Sequence, residues 1–218
     1  MGGSDITRRV ALAGLAIPCD ARASGVAAPA PPHDPAPMAP SFPHGAIWPV
    51  LTEAPDAHVV PALFADGTAQ GAALRRFNAP RPAARADNPT RRHVGVDLAA
   101  NAGDRVVAIA DGVVAAFYPF LTARTGETTY ALLVAHGACT VLYGEIRAAA
   151  FVQPGDPVTG GQRLGRVSDT AQLHIETYVR GVRRNTPWPQ GAPTPGSVLN
   201  PTQMLLDLAR DGMTVAPR

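Results

Sequence analysis

Arg92-His93-Val94-Gly95-Val96-Asp97-Leu98-Ala99-Ala100 is the stretch from which this chain is best read. Side chains on a strand repeat every two residues, so Val94, Val96 and Leu98 fall on one face and His93, Gly95 and Asp97 on the other. That second face pairs an imidazole with a carboxylate across a glycine, which leaves open space between them. Both groups suit a borderline metal such as Zn²⁺, which takes nitrogen and oxygen donors in a tetrahedral site. A third ligand then has to come from elsewhere in the chain. The same pattern also suits a strand whose solvent face simply carries His and Asp, so the decision rests on the rest of the sequence.

Outward from this strand, a dense pattern runs from Phe77 to about Ala209. Arg105 to Ala110, the turn Asp111-Gly112 and Val113 to Phe117 predict a strand pair joined as a hairpin. Tyr130 to Ala135 is an apolar strand ending at His136-Gly137, and Val141-Leu142-Tyr143 follows. Val152 to Val158, Gly160 to Val167 and Leu173 to Val179 complete a series of short strands separated by Gly and Pro, which argues for an all-β barrel or sandwich. One C-terminal helix is expected, with Asn200 as cap and Pro201 in the first helical position before Met204-Leu205-Leu206-Asp207-Leu208.

Gly103-Asp104-Arg105-Val106 leading to Gly112-Val113-Val114 resembles Gly155-Asp156-Pro157-Val158 leading to Gly165-Arg166-Val167. Such units occur in the folded hairpins of lipoyl and biotinyl carrier domains, which attach their cofactor to a lysine. All 19 basic residues here are arginine, so carrier chemistry is excluded while the hairpin architecture stays available.

Of the six histidines, His33, His44 and His58 lie in or near a Pro-rich leader and read as solvated bystanders. His93, His136 and His174 fall within the strand pattern. In Ala171-Gln172-Leu173-His174-Ile175-Glu176 the alternation puts Gln172, His174 and Glu176 on one face.

His93-Val94-Gly95-Val96-Asp97, a Gly-x-x-Val hairpin, Ala135-His136-Gly137, the Gly-Gln-x-x-Gly segment Gly161 to Gly165, and Leu173-His174-Ile175-Glu176 occur in that order. The set resembles the lysostaphin and LytM type of peptidoglycan zinc metalloendopeptidases over about 130 residues, 77 to 209. The resemblance implies an all-β, β-sheet domain of barrel-sandwich-hybrid type with a short C-terminal helix. It also implies one catalytic Zn²⁺ per chain and stem peptides of bacterial peptidoglycan as substrate. His93, Asp97 and His174 match the zinc ligands, which leaves the fourth position for water. His136 matches one of two non-ligand histidines that handle protons. The other should stand two residues before the last ligand, where this chain has Gln172. Glutamine donates a hydrogen bond but does not exchange protons near neutral pH, and losing proton transfer costs typically ~10²- to 10⁴-fold in rate. His136 and Gln172 are therefore the catalytic candidates, with His136 carrying the protons alone. An exposed strand carboxylate is the expected role of Glu176, with orientation of His174 as the alternative. Arg180, Arg183 and Arg184, followed by Trp188, read as a solvated basic loop, with contact to the acidic wall polymer as the alternative.

Thr7-Arg8-Arg9-Val10-Ala11-Leu12, the apolar run to Pro18 and Ala21-Arg22-Ala23 have the layout of an export signal, similar to the twin-arginine type, with cleavage after Ala23. The run is shorter than the ~20 residues a membrane span needs, so no stable membrane insertion is expected. Ala16-Ile17-Pro18 is a poor approach to a lipidated Cys19. Residues 24–45 read as a Pro/Ala-rich linker, 46–76 as an extension of unknown role and 77–210 as the peptidase domain. After signal removal Cys139 is the single cysteine, which excludes an internal disulfide; it reads as a small buried residue at a strand edge. A net charge of +2 implies no nucleic acid partner. The function expected is a secreted or periplasmic endopeptidase of peptidoglycan. Its alternative is an inactive wall-binding protein on the same domain that activates a cell-wall hydrolase.

Overall fold

Tyr130 to Val134 is apolar at every position, which a strand tolerates only when both its faces are covered. In the computed structural model, which describes residues 36–43, 45–51, 74–81, 90–148 and 151–214, that is what surrounds it. This strand, β7 (Thr128–His136), lies inside an antiparallel sheet with β6 (Gly112–Thr122), β8 (Cys139–Ile146), β9 (Pro157–Val158), β11 (Gln172–Val179) and β12 (Val198–Leu199). The order is β12-β11-β8-β7-β6-β9, and β4 (Val96–Ala99) pairs with the first half of β11 on the flank that β12 occupies further along. Leu132, Val134, Val141, Tyr143, Leu173 and Ile175 face one cluster of the core. Ala131, Leu133, Leu142 and Tyr178, one residue out of phase, face a second cluster with Val94, Trp188 and Val198.

A second sheet of β1 (Val50–Leu51), β5 (Arg105–Val107) and β10 (Arg163–Arg166) packs on the first cluster, and β2 (Pro80–Arg81) pairs with β3 (Arg91–Arg92). β5 and β6 do not form the hairpin that Asp111-Gly112 signals. β5 pairs with β1 and β10, and β6 pairs with β7 and β9. Ile109 N–H is taken by the Tyr143 hydroxyl, and the Asp111 carboxylate accepts from Gly160 N–H, so the turn is a corner between two sheets.

The two Gly-Asp-x-Val units explain that corner, because each closes the other. Gly103 N–H donates to Val167 O while Val167 N–H donates to Asp104 O; Gly155 N–H donates to Val114 O while Val114 N–H donates to Asp156 O. Asp104 and Asp156 each also accept from the backbone three residues earlier, at Asn101 and Gln153. The similarity visible in sequence is thus an interlock of two hairpin-like units and no closed barrel forms.

The helix α1 (Thr202–Thr214) starts as expected, with the Asn200 side chain accepting from Thr202 N–H at 3.0 Å, a cap worth about 1 kcal/mol. Residues 36–43, which composition places in a spacer, lie along the domain. Ala39 is buried in the first cluster and bonds Asn200 O, and Ser41 donates to Asp207. An extended Pro-rich segment keeps the backbone groups between its prolines, and these meet the unpaired strand end at Asn200. Cys139 opens β8 fully buried, and burial pushes its thiol up to about 11. Among the described residues no helix is long and apolar enough to cross a membrane. The export signal, cleavage after Ala23, His33, His44 and His58 lie outside the described residues.

Candidate metal centre

β4 and β11 run antiparallel with Asp97 opposite His174. The neighbouring strand β8 places Gly144 on the other side of His174. His93 is not on β4, because the strand begins only at Val96 and the backbone bends at Gly95. A Cβ on Gly95 would lie 2.1 Å from the Ile175 carbonyl oxygen, so glycine is needed for the close approach of β11 rather than for space between ligands. The bend also puts Val94 in the second core cluster while Val96 and Leu98 stay in the first.

Three donor atoms converge here. His93 Nε2 lies 3.1 Å from Asp97 Oδ1 and 3.2 Å from His174 Nδ1, and His174 Nδ1 lies 2.7 Å from Asp97 Oδ1. Ligands about 2.0–2.1 Å from a tetrahedral zinc stand ~3.3 Å from one another, close to the two His93 separations, while the His174–Asp97 hydrogen bond at 2.7 Å would open by about 0.6 Å around an ion. The far side of each ligand is committed. His93 Nδ1–H donates to Arg76 O at 2.8 Å, His174 Nε2–H donates to Glu176 at 2.9 Å, and Arg81 donates to Asp97 Oδ2 at 2.5 Å. These bonds fix both tautomers so that a nitrogen lone pair of each ring and one carboxylate oxygen face a common point, the arrangement of histidine ligands backed by carbonyl or carboxylate. The donor set therefore fits a zinc ion.

Electrostatics agree. Burial pushes His93 below its ordinary pKa, with Asp97 only partly restoring it, so the ring is neutral as a ligand must be. Burial opposes ionisation of Asp97, yet hydrogen bonds from His174 and His93 outweigh it and hold the carboxyl well below the usual range. Burial also opposes a charge on His174, but the bonds and charges of Asp97 and Glu176 outweigh it and raise its pKa to about 10, so without a metal the ring carries a proton between Nδ1 and Asp97 that a bound ion would displace. Two carboxylates around one imidazole make this a place that favours a cation.

Glu176 is 4% exposed and also accepts from the Tyr178 hydroxyl at 2.5 Å, so the expected exposed carboxylate is a buried orienting group. Its neighbour across the bend is Gly95, whose missing side chain leaves it room. Trp188, expected in a solvated loop, is 1% exposed in the second core cluster with its indole N–H on Ala192 O. Arg184 stacks on Tyr118 and Arg183 donates to Ala115 O.

His136 is not in the cleft. It pairs with Cys139 across the β7–β8 turn, five residues along β8 from Gly144 and so about 17 Å of strand from the ligands. Its Nδ1–H donates to Asp111 O at 3.0 Å and its Nε2 accepts from the Tyr143 hydroxyl at 2.9 Å, which leaves no nitrogen for chemistry. The alternation of β7 reads its position correctly as the end of an apolar strand but says nothing of which corner that end occupies. Gln172, in contrast, lines the cleft and donates to Glu145 at 2.8 Å. Glu145 is the residue that sequence reading missed. The signal was Gly144-Glu145 interrupting an apolar strand, which marks a bulge.

The cleft above the three ligands has a volume of about 1060 Å³, with Phe120, Thr122, Arg124, Glu145, Gln172, Asn185 and Pro187 among its walls. The cleft thus opens onto a buried His-Asp-His cluster whose three donor atoms could hold one metal ion. Residues 91–186 match the model of peptidase family M23. The chain is similar to Helicobacter pylori Csd3, at 22% identity and a TM-score of 0.37 over 78% of this chain and 40% of that one. It is similar to the catalytic domain of the antimicrobial peptidase lysostaphin from Staphylococcus simulans, at 22% identity and a TM-score of 0.40 over 60% of this chain and 89% of that one. EnpA from Enterococcus faecalis gives 24% identity and a TM-score of 0.35 over 50% of this chain and 81% of that one. Among curated proteins none matches.

Proposed function

We propose that the protein is an exported zinc metalloendopeptidase that cuts the peptide cross-links of peptidoglycan, with His93, Asp97 and His174 as the ligands. The observation that carries this reading is the fixing of all three donors from behind, by Arg76 O, Arg81 and Glu176, so that they face one point in an open cleft. A set of buried polar groups kept only for structure gains nothing from turning two imidazole lone pairs and a carboxylate oxygen toward each other.

Zinc, when bound, lowers the pKa of a water to about 7 and polarises the peptide carbonyl. The protein's own residues do the rest. Arg81 holds Asp97 Oδ2, which leaves Oδ1 as the oxygen that would bind the ion. Glu176 keeps His174 in one tautomer, and the Tyr178 hydroxyl keeps Glu176 in place. Phe120 stacks on His174 at 5.6 Å between ring centres and shields the ring from solvent. The cleft slightly exceeds the ~300–1,000 Å³ of small-molecule pockets, in keeping with several residues of an extended peptide.

The test is incubation of the zinc-loaded full chain with cross-linked muropeptides, followed by mass analysis. Cleavage that stops with a chelator and returns with zinc is the expected result. No product from several wall types with zinc confirmed overturns the enzyme, and sedimentation with insoluble peptidoglycan in that case favours the inactive binder.

A further inference from the structure

Glu145 stands in the cleft without holding the metal, and the strand is bent to put it there. On β8, Val141 and Tyr143 face the first core cluster, so an uninterrupted pleat directs residue 145 into that core as well. Instead Tyr130 pairs with Ile146 and Leu132 with Tyr143, which leaves Gly144 and Glu145 opposite Ala131 alone. This is a β-bulge, and it shifts the phase so that Ile146 returns to the core and Glu145 lines the cleft. The bulge holds Glu145 at a φ of 62°, a left-handed conformation that a residue with a long side chain rarely adopts and that gathers at functional sites.

The backbone that carries this carboxylate runs beside His174. Gly144 pairs with His174, and a Cβ there would lie 3.2 Å from the His174 ring, so the backbone carrying Glu145 passes directly against the ligand. Gln172, two residues before His174 on the same face, donates to Glu145 Oε1 at 2.8 Å. The Gln172 amide therefore holds the Glu145 carboxylate in place in the cleft.

We propose that Glu145 is the catalytic base and acid of this site, resting on the peptidase reading above. The carboxylate takes a proton from the attacking water as the water oxygen bonds to the peptide carbon. It then gives that proton to the amide nitrogen as the C–N bond breaks. One peptide bond and one water become a carboxylic acid and an amine, and Glu145 ends as it began.

The test compares the zinc-loaded full chain with Glu145→Gln and Glu145→Gly. Glu145→Gln should cleave muropeptides ~10²- to 10⁴-fold more slowly with one zinc still bound, since proton transfer contributes about that much. A second readout needs no turnover. Acetohydroxamic acid gives up its hydroxyl proton when it binds a metal as an anion, so calorimetry should find it bound about tenfold or more weakly by Glu145→Gln. Glu145→Gly should keep or raise the thermal midpoint while losing cleavage, because glycine adopts the left-handed conformation freely. Glu145→Gln cleaving within threefold of wild type, binding the hydroxamate equally well, or losing zinc overturns the proposal. A wild type that carries zinc and does not cleave overturns the peptidase reading and this one together, whereas an active wild type beside an equally active Glu145→Gln overturns this one alone.

Discussion

β8 has a buried histidine near each end, His174 beside Gly144 and His136 beside Cys139, and both are 5% exposed. Their surroundings drive them in opposite directions. His136 is hydrogen-bonded only to neutral groups, the Asp111 carbonyl and the Tyr143 hydroxyl, and burial outweighs these bonds and the Asp111 charge and pushes its pKa down. His174 meets two carboxylates, which outweigh burial and push it up. Exposure does not distinguish these two histidines; the charge of their hydrogen-bond partners does.

The sharpest way to break this contrast is to remove each ring. His174→Ala should take zinc from about one per chain to nearly none, measured by elemental analysis, and cleavage should vanish with it. His136→Ala should leave zinc content unchanged. It should destabilise the fold by about 2–4 kcal/mol in a denaturant titration, because a buried ring is lost and the Asp111 carbonyl and Tyr143 hydroxyl lose their partner. Zinc lost from His136→Ala would erase the distinction. Within the metal corner, Glu176→Gln should weaken zinc binding by about 10–100-fold in a competition assay, the range for groups that orient a ligand from behind. Equal affinity in that variant would mean that Glu176 does not set the His174 tautomer.

The smallest effect is in pH. His136 has a folded pKa below its unfolded value of about 6.5, so between the two the unfolded chain binds more protons. Stability therefore rises with pH across that window, and falls by up to about 1.4 kcal/mol per unit as pH drops below about 6.5. In urea midpoints between about pH 4 and 7, His136→Gln should show a flatter dependence than wild type. Parallel curves would contradict it.

Period-two alternation puts His93 and Asp97 on one face and His174 on another such face, the family resemblance groups the three, and the structure brings them together although the pleat bends at Gly95. Alternation fails wherever the pleat breaks. Glu145 is invisible to it since the bulge at Gly144 shifts the phase, and alternation alone sends that carboxylate into the core. The Asp111-Gly112 turn misleads for a related reason. Local turn chemistry signals a hairpin, yet the interlock of the Gly103 and Gly155 units gives both flanking strands partners from distant sequence. Composition cannot tell that residues 36–43 have a strand end to bond, nor that Trp188 fills the second core cluster beside Tyr178.

Crystals of the zinc-loaded full chain, measured at the zinc absorption edge, address the central claim most directly. The account predicts one anomalous peak about 2.0–2.2 Å from His93 Nε2, Asp97 Oδ1 and His174 Nδ1, the bond lengths of a tetrahedral zinc site. No peak at those three atoms, or a peak at the His136 and Cys139 end of β8 instead, would contradict it.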